Sequence, residues 1–531
     1  MLFGGTVLIA FVVCLAMMWL IRQIKLMRLM DKFPGPRQLY FLGNAHQLQL
    51  HPDDFFEQTT GVCNMYPSLR MIRIWMLWLP YVLVYGPEEA EVILTSSKHT
   101  RKSREYTFLR PWMGLGLLTC EPESYRPRRK LLTPAFHYDI LRDFIEVFSQ
   151  EAKVLVGKLR PFAESGEPVD VYTRITLCAL DIICEAAMGL HVGAQSNKHR
   201  SYVEAVYIMN EVIHLRQKQP WFWPEFMFWA FGDGRTHKKC LATLHKFTDD
   251  VIEERYKQLK DAGGLQNLMK ARSKTLLLDG SKYRRRIPFL DLLLEMVYQG
   301  QLPLEDVRPE VNTFMFAGHD TTSAAIGWTL MMLAVHQEYQ QRVHAELDEI
   351  FGDDDRNPSF DKDVPRMRYL ECCIKESLRL YPSAPLLGRE IDYDMKIKGR
   401  TLPAGTTVMF HVYMLHRDPK HWKDPEIYNP DRFLPENCAG RHPYAYIPFS
   451  AGARSCIGQR FAIIEEKTVL SWLLRYFNVR TKVRRDQIRP KSEVILRPLQ
   501  GANFYLEPRR PIPAFGTVET NNNNLVRNSG V

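Results

Sequence analysis

The chain has 531 residues, of which 46% are hydrophobic, so it is long enough to bury a large core. Its net charge of +10 is scattered without a long Lys/Arg tract, and its 10 cysteines include no Cys-x-x-Cys pair. These features argue against nucleic-acid binding, a structural zinc site and a small disulfide scaffold, and they favour reduced thiols in a reducing compartment.

An uncharged apolar stretch, Leu2–Ile21, is the first predicted element, and about 20 apolar residues cross a bilayer as a helix. Basic residues follow at positions 22, 25, 28 and 32, which the positive-inside tendency places on the cytosolic face. A cleaved signal peptide is the alternative, but the stretch lacks a preceding basic residue and a small-residue cleavage site. We therefore predict a retained anchor at 1–21 and a basic, proline-rich linker at 22–44.

The sequence from residue 45 to residue 508 contains no Gly-, Ser- or Pro-rich linker and no repeat, which indicates one large domain. Apolar residues recur at helical spacing in eight segments: 138–160, 172–189, 200–216, 240–261, 304–334, 336–351, 366–380 and 457–476. Short β-like runs occur at 69–76, 80–85, 395–397, 407–412 and 503–506. The expected fold class is mainly α with small sheets, followed by a disordered tail at 509–531.

Six aromatic residues are crowded between Pro220 and Trp229. They either pack into the core or form a patch that enters the bilayer near the anchor and opens a path for apolar substrates.

The segment Ala-Gly-His-Asp-Thr-Thr at 317–322 lies in the middle of the longest predicted helix. Glycine costs about 1 kcal/mol against alanine inside a helix, and threonine hydroxyls can bond back to the preceding turn. We therefore expect a local opening of the helix. Asp320 beside Thr321 offers the acid and the alcohol that proton delivery to bound dioxygen requires, although both side chains in an ordinary helix would simply face solvent.

Glu376 and Arg379 carry opposite charges three residues apart on another predicted helix. Such a pair stabilises an exposed helix by only about 0.2–0.5 kcal/mol.

The segment from Phe449 to Gly458 places Cys456 between an arginine two residues before it and a glycine two residues after it. A thiolate near the start of a helix is favoured by N–H groups and the helix dipole, and it can be the axial ligand of a haem iron. Gly452 and Gly458 let the backbone approach a flat cofactor, and Arg454 can pair with its acidic groups. A buried, inert cysteine is the alternative.

The 449–458 segment resembles the haem-binding loop Phe-x-x-Gly-x-Arg-x-Cys-x-Gly of the cytochrome P450 superfamily at every specified position. The resemblance implies the P450 fold and haem b held by the Cys456 thiolate, with Phe449 and Arg454 beside the cofactor. The 317–322 segment resembles the superfamily's oxygen-activation motif. By that match Asp320 and Thr321 form the catalytic acid–alcohol pair, and Gly318 makes room above the iron.

Two further resemblances concern residues around the haem. The segment 425–433 matches Pro-x-x-[Phe/Tyr]-x-Pro-x-Arg-Phe, which implies that Glu376, Arg379 and Arg432 form a buried ionic triad that holds the fold. Tyr125 and Arg129 stand where superfamily members usually have Trp-x-x-[x]-Arg. This implies that Arg129 binds a haem propionate, with the Tyr125 hydroxyl in place of the tryptophan N–H.

Residues 131–137, 314–322 and 416–419 resemble family 4 of the superfamily, whose members typically hydroxylate fatty acids at or near the terminal carbon. Other members act on eicosanoids, hormones or xenobiotics. The resemblance implies a monooxygenase that inserts one oxygen atom of O2 into a C–H bond of a lipophilic substrate. Its electrons would come from NADPH through NADPH–cytochrome P450 reductase, with cytochrome b5 as a further donor, at the endoplasmic reticulum membrane with a cytosolic catalytic domain.

The resemblance also concerns the substrate pocket and the surface to which the reductase binds. Residues 108–118 would line the substrate pocket, and a basic face near Arg129, Lys130 and Arg460 would steer the acidic reductase. Many family members carry a glutamate, esterified to a haem methyl group, where this chain has Ala317, so we predict haem without that covalent link.

Two other classes of function use the same fold. One is an isomerase or dehydratase that rearranges peroxides without external electrons, and the other is a non-catalytic haem sensor or lipid-binding protein. The acid–alcohol pair argues against both.

Overall fold

The computed structural model describes residues 2–196, 198–267, 288–499, 501, 503–513 and 515. Its α-helices are, in chain order, α1 (Leu2–Met30), α2 (Pro52–Met65), α3 (Pro87–Leu94), α4 (Arg110–Met113), α5 (Pro122–Leu132), α6 (Tyr138–Ser165), α7 (Val171–Ile183), α8 (Arg200–Lys218), α9 (Glu225–Phe231), α10 (Gly234–Asp261), α11 (Phe289–Tyr298), α12 (Val307–Val335), α13 (Gln337–Phe351), α14 (Arg368–Leu380), α15 (Val412–Leu415), α16 (Pro435–Cys438) and α17 (Gln459–Tyr476). The π-helix Cys184–Met188 extends α7. Short 3₁₀-helices connect other elements at Ala45–Gln47, Arg104–Leu109, Thr133–Phe136, Ala194–Ser196, Pro220–Phe222, Leu304–Asp306, Pro430–Phe433, Pro443–Ala445, Gly452–Arg454 and Arg485–Gln487.

The strands form small sheets at the edges of the helical body. They are β1 (Met71–Met76), β2 (Leu79–Val84), β3 (Val169–Asp170), β4 (Leu386–Glu390), β5 (Met395–Ile397), β6 (Arg400–Leu402), β7 (Thr407–His411), β8 (Phe477–Arg480), β9 (Pro490–Ser492), β10 (Leu496–Pro498) and β11 (Asn503–Pro508). The largest sheet has the order β1-β2-β7-β4, in which β2 and β7 are parallel and the other pairs are antiparallel. A second sheet has the order β3-β11-β8, and β5–β6 and β9–β10 form two-stranded ribbons.

Helix α12 lies at the centre of the molecule. Its sequence is apolar on nearly all sides, as expected for a helix surrounded by others, and most of its residues are buried. It packs against α7, α14 and α17. Trp328 stacks on Tyr381 with ring centroids 3.9 Å apart and donates its indole N–H to the Leu496 carbonyl oxygen at 2.9 Å. This packing fixes the position of residues 317–322 in the interior.

The mainly α fold with small sheets is confirmed, and the eight predicted helices are present with ends shifted by a few residues. The sequence did not predict β3, β4, β6, β8, β9 or β10, each of which has at most five residues. The first helix is longer than the predicted anchor: α1 continues to Met30 and includes Arg22, Lys25 and Arg28 of the predicted linker. Val7–Met30 is long and apolar enough to cross a membrane, and its exposed apolar side chains fit that role.

The predicted tail, 509–531, begins on the core. Arg509 donates to the Leu474 carbonyl oxygen at 2.9 Å, and the Phe515 ring meets Trp472 and Tyr476 edge-on at 5.9 and 5.5 Å. Residues 516–531 lie outside the described residues, so the prediction of disorder there stays a prediction.

Candidate active site

The Cys456 loop is a short, tightly held segment just before α17. The Cys456 N–H donates to the Phe449 carbonyl oxygen at 2.9 Å and thereby closes the loop. Gly452 has φ +71, and a side chain there would collide with the Leu94 backbone, so only glycine fits. The Cys456 side chain is exposed. The loop therefore presents a sulfur atom on a rigid backbone.

The groups around Cys456 shift the pKa of its thiol in opposite directions. Burial among protein atoms raises the pKa of the thiol, although the sulfur is accessible. The Gly458 N–H and the charges of Arg129 and Lys102 act to lower that pKa. Coordination to a metal ion deprotonates a thiol outright, so an iron ion would stabilise the thiolate that this site disfavours on its own.

Two residues of α5 hold the cysteine loop. The Tyr125 hydroxyl donates to the Ala453 carbonyl oxygen at 2.8 Å, and Arg129 donates to the Ser455 carbonyl oxygen at 2.6 Å. The single hydroxyl proton of Tyr125 is therefore engaged in the hydrogen bond to the loop. This differs from the expectation that the Tyr125 hydroxyl donates to a haem propionate, whereas Arg129 keeps further N–H groups for such a ligand.

Arg454 lies buried behind the loop. Its guanidinium donates to the backbone carbonyl oxygens of Thr100, Leu117 and Cys120 at 3.0, 3.3 and 2.9 Å, and it lies 3.7 Å from the centre of the Tyr125 ring. Carbonyl oxygens orient the guanidinium but carry no net charge. The buried positive charge of Arg454 therefore remains without a counter-ion among these partners.

Lys102 and Arg389 add two more positive charges near Arg454. The Lys102 ammonium lies 4.3 Å from the centre of the Tyr106 ring, and the buried Arg389 donates to the Gly388 carbonyl oxygen at 2.9 Å. Burial and the neighbouring Arg454 lower the pKa values of both groups. Within the part of the chain that the structure describes, the contacts of these three residues are with backbone carbonyl oxygens, the Cys120 sulfur and aromatic rings, and none of the three forms an ion pair with a carboxylate. We call Lys102, Arg389 and Arg454 the cation cluster.

Helix α12 runs past this region without interruption, so the expected opening at 317–322 is wrong. The Thr321 hydroxyl donates to the Ala317 carbonyl oxygen at 2.6 Å, and the Thr322 hydroxyl bonds in the same way to Gly318. Ala317 is exposed and Thr321 is half-buried, while most of their neighbours are buried. These two residues form the accessible face of the helix.

Gly318 faces α7 instead of the space beside Thr321. A Cβ atom at Gly318 would lie 2.6 Å from Ile183 Cδ1, so the glycine allows α7 and α12 to approach closely. This corrects the expectation that Gly318 makes room above the iron.

Asp320 is fully buried and both of its carboxylate oxygens are engaged. One pairs with Arg497 of β10, and the other accepts a hydrogen bond from Asn210 Nδ2 of α8 at 2.9 Å. Arg497 also pairs with Glu493 at 3.0 Å. Asp320 and Thr321 are therefore neighbours in sequence, but among the described contacts no hydrogen bond joins their side chains.

The predicted triad is brought together in the interior. Arg379 and Glu376 are both 0% exposed and form two parallel hydrogen bonds of 2.7 and 2.8 Å, and Arg432 Nε lies 3.5 Å from the same carboxylate. The Asn429 N–H donates to Glu376 at 2.9 Å. The remaining Arg379 N–H groups bind the carbonyl oxygens of His416, Pro425 and Ile427.

An apolar pocket of about 190 Å³ lies between the largest sheet and the end of α8. Tyr106, Leu109, Leu386 and Gly388 are among its lining residues. Of the predicted lining segment 108–118, only Leu109 reaches this pocket.

The family model for cytochrome P450 matches residues 33–504. The chain belongs to the cytochrome P450 family. It is 45% identical over 490 residues to "Cytochrome P450 4c3" of Drosophila melanogaster, with 92% of this chain and 91% of that protein covered. It is 45% identical over 477 residues to "Cytochrome P450 4V2" of Homo sapiens, with 88% of each chain covered. It is also 39% identical over 484 residues to "Cytochrome P450 4c21" of Blattella germanica, with 91% of this chain and 94% of that protein covered.

These similarities confirm the resemblance to family 4 and the class of enzyme. The chain is a cytochrome P450 monooxygenase, and P450 proteins bind haem through a cysteine thiolate and use electrons derived from NADPH.

The residues of this P450 fit a haem group. Haem b has a flat macrocycle, an iron that accepts a thiolate and propionates that carry negative charge. The accessible Cys456 sulfur suits the iron, and the cation cluster supplies positive charges without counter-ions for the propionates. Sequence reasoning missed Lys102 and Arg389, because nothing in the sequence around them marks them as buried or as neighbours of Arg454.

Replacing Arg389 with methionine is expected to weaken haem retention by about 10- to 100-fold, because a hydrogen bond to a charged group contributes about 1.5–3 kcal/mol. The haem-free protein should not be destabilised, since the change removes a buried charge that lacks a counter-ion. Transfer of haem to excess apomyoglobin measures the loss rate. The exposed Arg160→Met is the control, and equal rates for the two variants would exclude a role of Arg389 in haem binding.

The haem of this P450 is expected to be released completely by acidified organic solvent, because the Ala317 methyl group cannot form an ester. Absorbance of the extracted polypeptide at the haem band measures any haem that remains. Ala317→Glu is the matched variant, and part of its haem should stay on the chain. Retention of haem by the parent polypeptide would contradict the prediction.

Proposed function

We propose that this P450 inserts one oxygen atom of O2 into a C–H bond of a lipophilic substrate, which is a fatty acid or related lipid, a hormone or a xenobiotic. Cys456 holds the haem iron, and NADPH–cytochrome P450 reductase supplies the electrons, with cytochrome b5 as a second donor.

The observation that carries this proposal is the combination of the Cys456 loop and the cation cluster. A rigid loop presents one accessible sulfur, and three positive charges without carboxylate partners lie behind it. Thiolate-ligated haem supplies the activation of dioxygen, because the thiolate pushes electron density toward iron and favours O–O cleavage.

The protein's own residues position the substrate side of the site and its protons. Thr321 holds a hydroxyl on the accessible face of α12, where it can hydrogen-bond a bound ligand while it donates to Ala317. Asp320 holds a carboxylate one residue away, in an ion pair with Arg497. For Asp320 to move a proton toward Thr321, this ion pair has to open, so the strength of the Asp320–Arg497 pair controls proton delivery.

Exposed apolar surface supports attachment to a membrane. Besides the candidate span in α1, Tyr40, Phe41, Phe226 and Phe231 are 84, 79, 74 and 70% exposed. Exposed aromatic side chains suit an interface with lipid. These exposed side chains support attachment to a membrane and favour the membrane interpretation of the aromatic segment near residue 220. The basic residues that follow the apolar stretch support the location that we propose, the endoplasmic reticulum membrane with the catalytic domain in the cytosol.

The redox partner would bind on the side of the Cys456 loop. Lys130 and Arg460 are exposed there, whereas Arg129 is partly used by the Ser455 carbonyl oxygen. Exposed positive charges steer an acidic partner and raise its association rate.

Turnover of the full-length protein in lipid vesicles with the reductase, NADPH and ¹⁸O2 tests the function. A panel of fatty acids, steroids and aromatic xenobiotics serves as substrates, and the expected product carries a single ¹⁸O atom. Product from a lipid hydroperoxide without NADPH would indicate the isomerase or dehydratase instead. Haem binding without any product would indicate the sensor or lipid carrier.

A further inference from the structure

One histidine and two glutamates meet where the π-helix at the end of α7 lies beside α6. Glu151 comes from the middle of α6, Glu185 from the π-helix and His191 from the segment that follows it. His191 Nδ1 lies 3.5 Å from Glu151 Oε1 and 3.5 Å from Glu185 Oε2. Both distances are longer than an ordinary N–H···O hydrogen bond, so the three side chains face one another across a small gap.

Glu151 directs an unpartnered carboxylate oxygen into this gap. The residue is 1% exposed, and among the described residues its Oε1 atom has no hydrogen-bond partner. The other oxygen, Oε2, accepts a hydrogen bond from Gln195 Nε2 at 2.8 Å, which orients the carboxylate. A buried carboxylate oxygen costs free energy unless a donor or a cation satisfies it, so this position favours a positively charged ligand.

The charges around the gap also favour a cation. In the described ranges neither Glu151 nor Glu185 pairs with a lysine or an arginine, and the ionisable partner of both is the His191 ring. Asp181 adds a further buried carboxylate, and burial together with the Glu151 charge raises its pKa to about 7. A proton on His191 would supply one positive charge, since the two glutamates raise the pKa of the ring to about 10. A divalent ion would supply two.

The spacing of the three ligand atoms fits tetrahedral Zn²⁺. Zinc binds imidazole nitrogen and carboxylate oxygen at about 2.0–2.2 Å, so neighbouring ligand atoms in a tetrahedron lie about 3.4 Å apart. The two separations of 3.5 Å have this length. An imidazole ligand disfavours Mg²⁺ and Ca²⁺, which prefer oxygen ligands. The side chains of His191 and Glu185 are 33 and 29% exposed, so an ion can enter and water can complete its coordination.

We propose that Glu151, Glu185 and His191 bind one zinc ion. The ion joins α6 to the π-helix and adds a coordinate cross-link to the side-chain packing of α6 against α7. Glu185 lies two residues after Ile183, which packs against Gly318 of α12. The zinc site therefore braces the helix on which the central helix of the enzyme packs, and its role is structural.

Metal analysis of the untagged, full-length haem protein tests the proposal. Bound metal is removed with a chelator, zinc is added, and zinc and iron are counted by mass spectrometry after gel filtration. The parent should hold one zinc per haem iron. Competition with a fluorescent zinc chelator then gives the affinity. Glu185→Gln and His191→Gln should each weaken zinc by at least about 10-fold, because even the outer-shell partners of metal ligands contribute about 10- to 100-fold.

The controls make the same chemical changes at exposed positions. Glu253→Gln and His46→Gln should bind zinc as the parent does, and the iron content reports that each variant keeps its haem. Zinc should raise the midpoint of thermal unfolding of the parent and of both controls, but not that of His191→Gln. Excess Mg²⁺ should not displace the zinc.

Two results would overturn the proposal. Equal zinc affinity in the parent, Glu185→Gln and His191→Gln would place the ion elsewhere on the protein. A parent protein that takes up no zinc at micromolar free zinc would show that the gap holds no metal, and would leave a proton on His191 as the positive charge between the two glutamates.

Discussion

Replacing Cys456 with serine is expected to remove the strongly red-shifted band of the reduced, carbon-monoxide-bound protein and to reduce turnover at least about a thousandfold, on the scale of losing an essential group. The fold should persist. The loop is closed by the Cys456 backbone N–H, which serine retains, and a serine hydroxyl can accept from the Gly458 N–H in place of the sulfur. The spectrum, the haem content and the circular dichroism of purified protein measure these effects together.

The control is Cys438→Ser, because Cys438 is also exposed but lies in α16, away from the loop. It should keep the band and the activity. A Cys456→Ser protein that retains the red-shifted band would show that another group binds the iron and would refute the proposed ligand.

Replacing Arg379 with methionine is expected to lower the free energy of unfolding by about 3–5 kcal/mol, since it leaves the Glu376 carboxylate buried without its main partner. The change also frees the carbonyl oxygens of His416, Pro425 and Ile427, which Arg379 binds. Urea unfolding followed by tryptophan fluorescence measures the stability, and the yield of haem-bound protein gives a second readout.

Arg366→Met is the matched control, because Arg366 forms an exposed ion pair with Glu349. Such pairs contribute at most about 1 kcal/mol to the free energy of unfolding. The double variant Glu376→Met/Arg379→Met should lose less than the sum of the two single changes, since it removes both buried charges. Similar small losses for Arg379→Met and Arg366→Met would show that the triad does not hold the fold.

The parts of the site that sequence predicts are those in which the needed residues are close together along the chain. The Cys456 loop is one such segment, because its glycine, arginine and cysteine lie within a few residues of each other and their spacing can be read directly from the sequence. The Glu376–Arg379 pair is another, because one turn of helix places both side chains together. The long helices were predicted for the same reason, since the apolar residues of each helix recur at helical spacing within one segment of the sequence.

The parts that sequence did not predict depend on residues far apart in the chain. Arg389 is buried because Tyr106 and Arg454 come to meet it, and Lys218 lines a pocket because Leu50 and Phe55 lie beside it. A single lysine or arginine carries no local sign of such burial. The predicted opening of α12 failed for a related reason. The threonine hydroxyls find acceptors within the helix, and the glycine is used for contact with a helix more than a hundred residues earlier.

The contact between Gly318 and Ile183 sets a limit for enzyme engineering. Because any side chain at position 318 would collide with the Ile183 side chain unless that side chain shifts, libraries that vary this position will select mainly on packing between α7 and α12. Ala317, one residue earlier, lies on the accessible face of α12, so added volume at this position changes the space beside Thr321 instead.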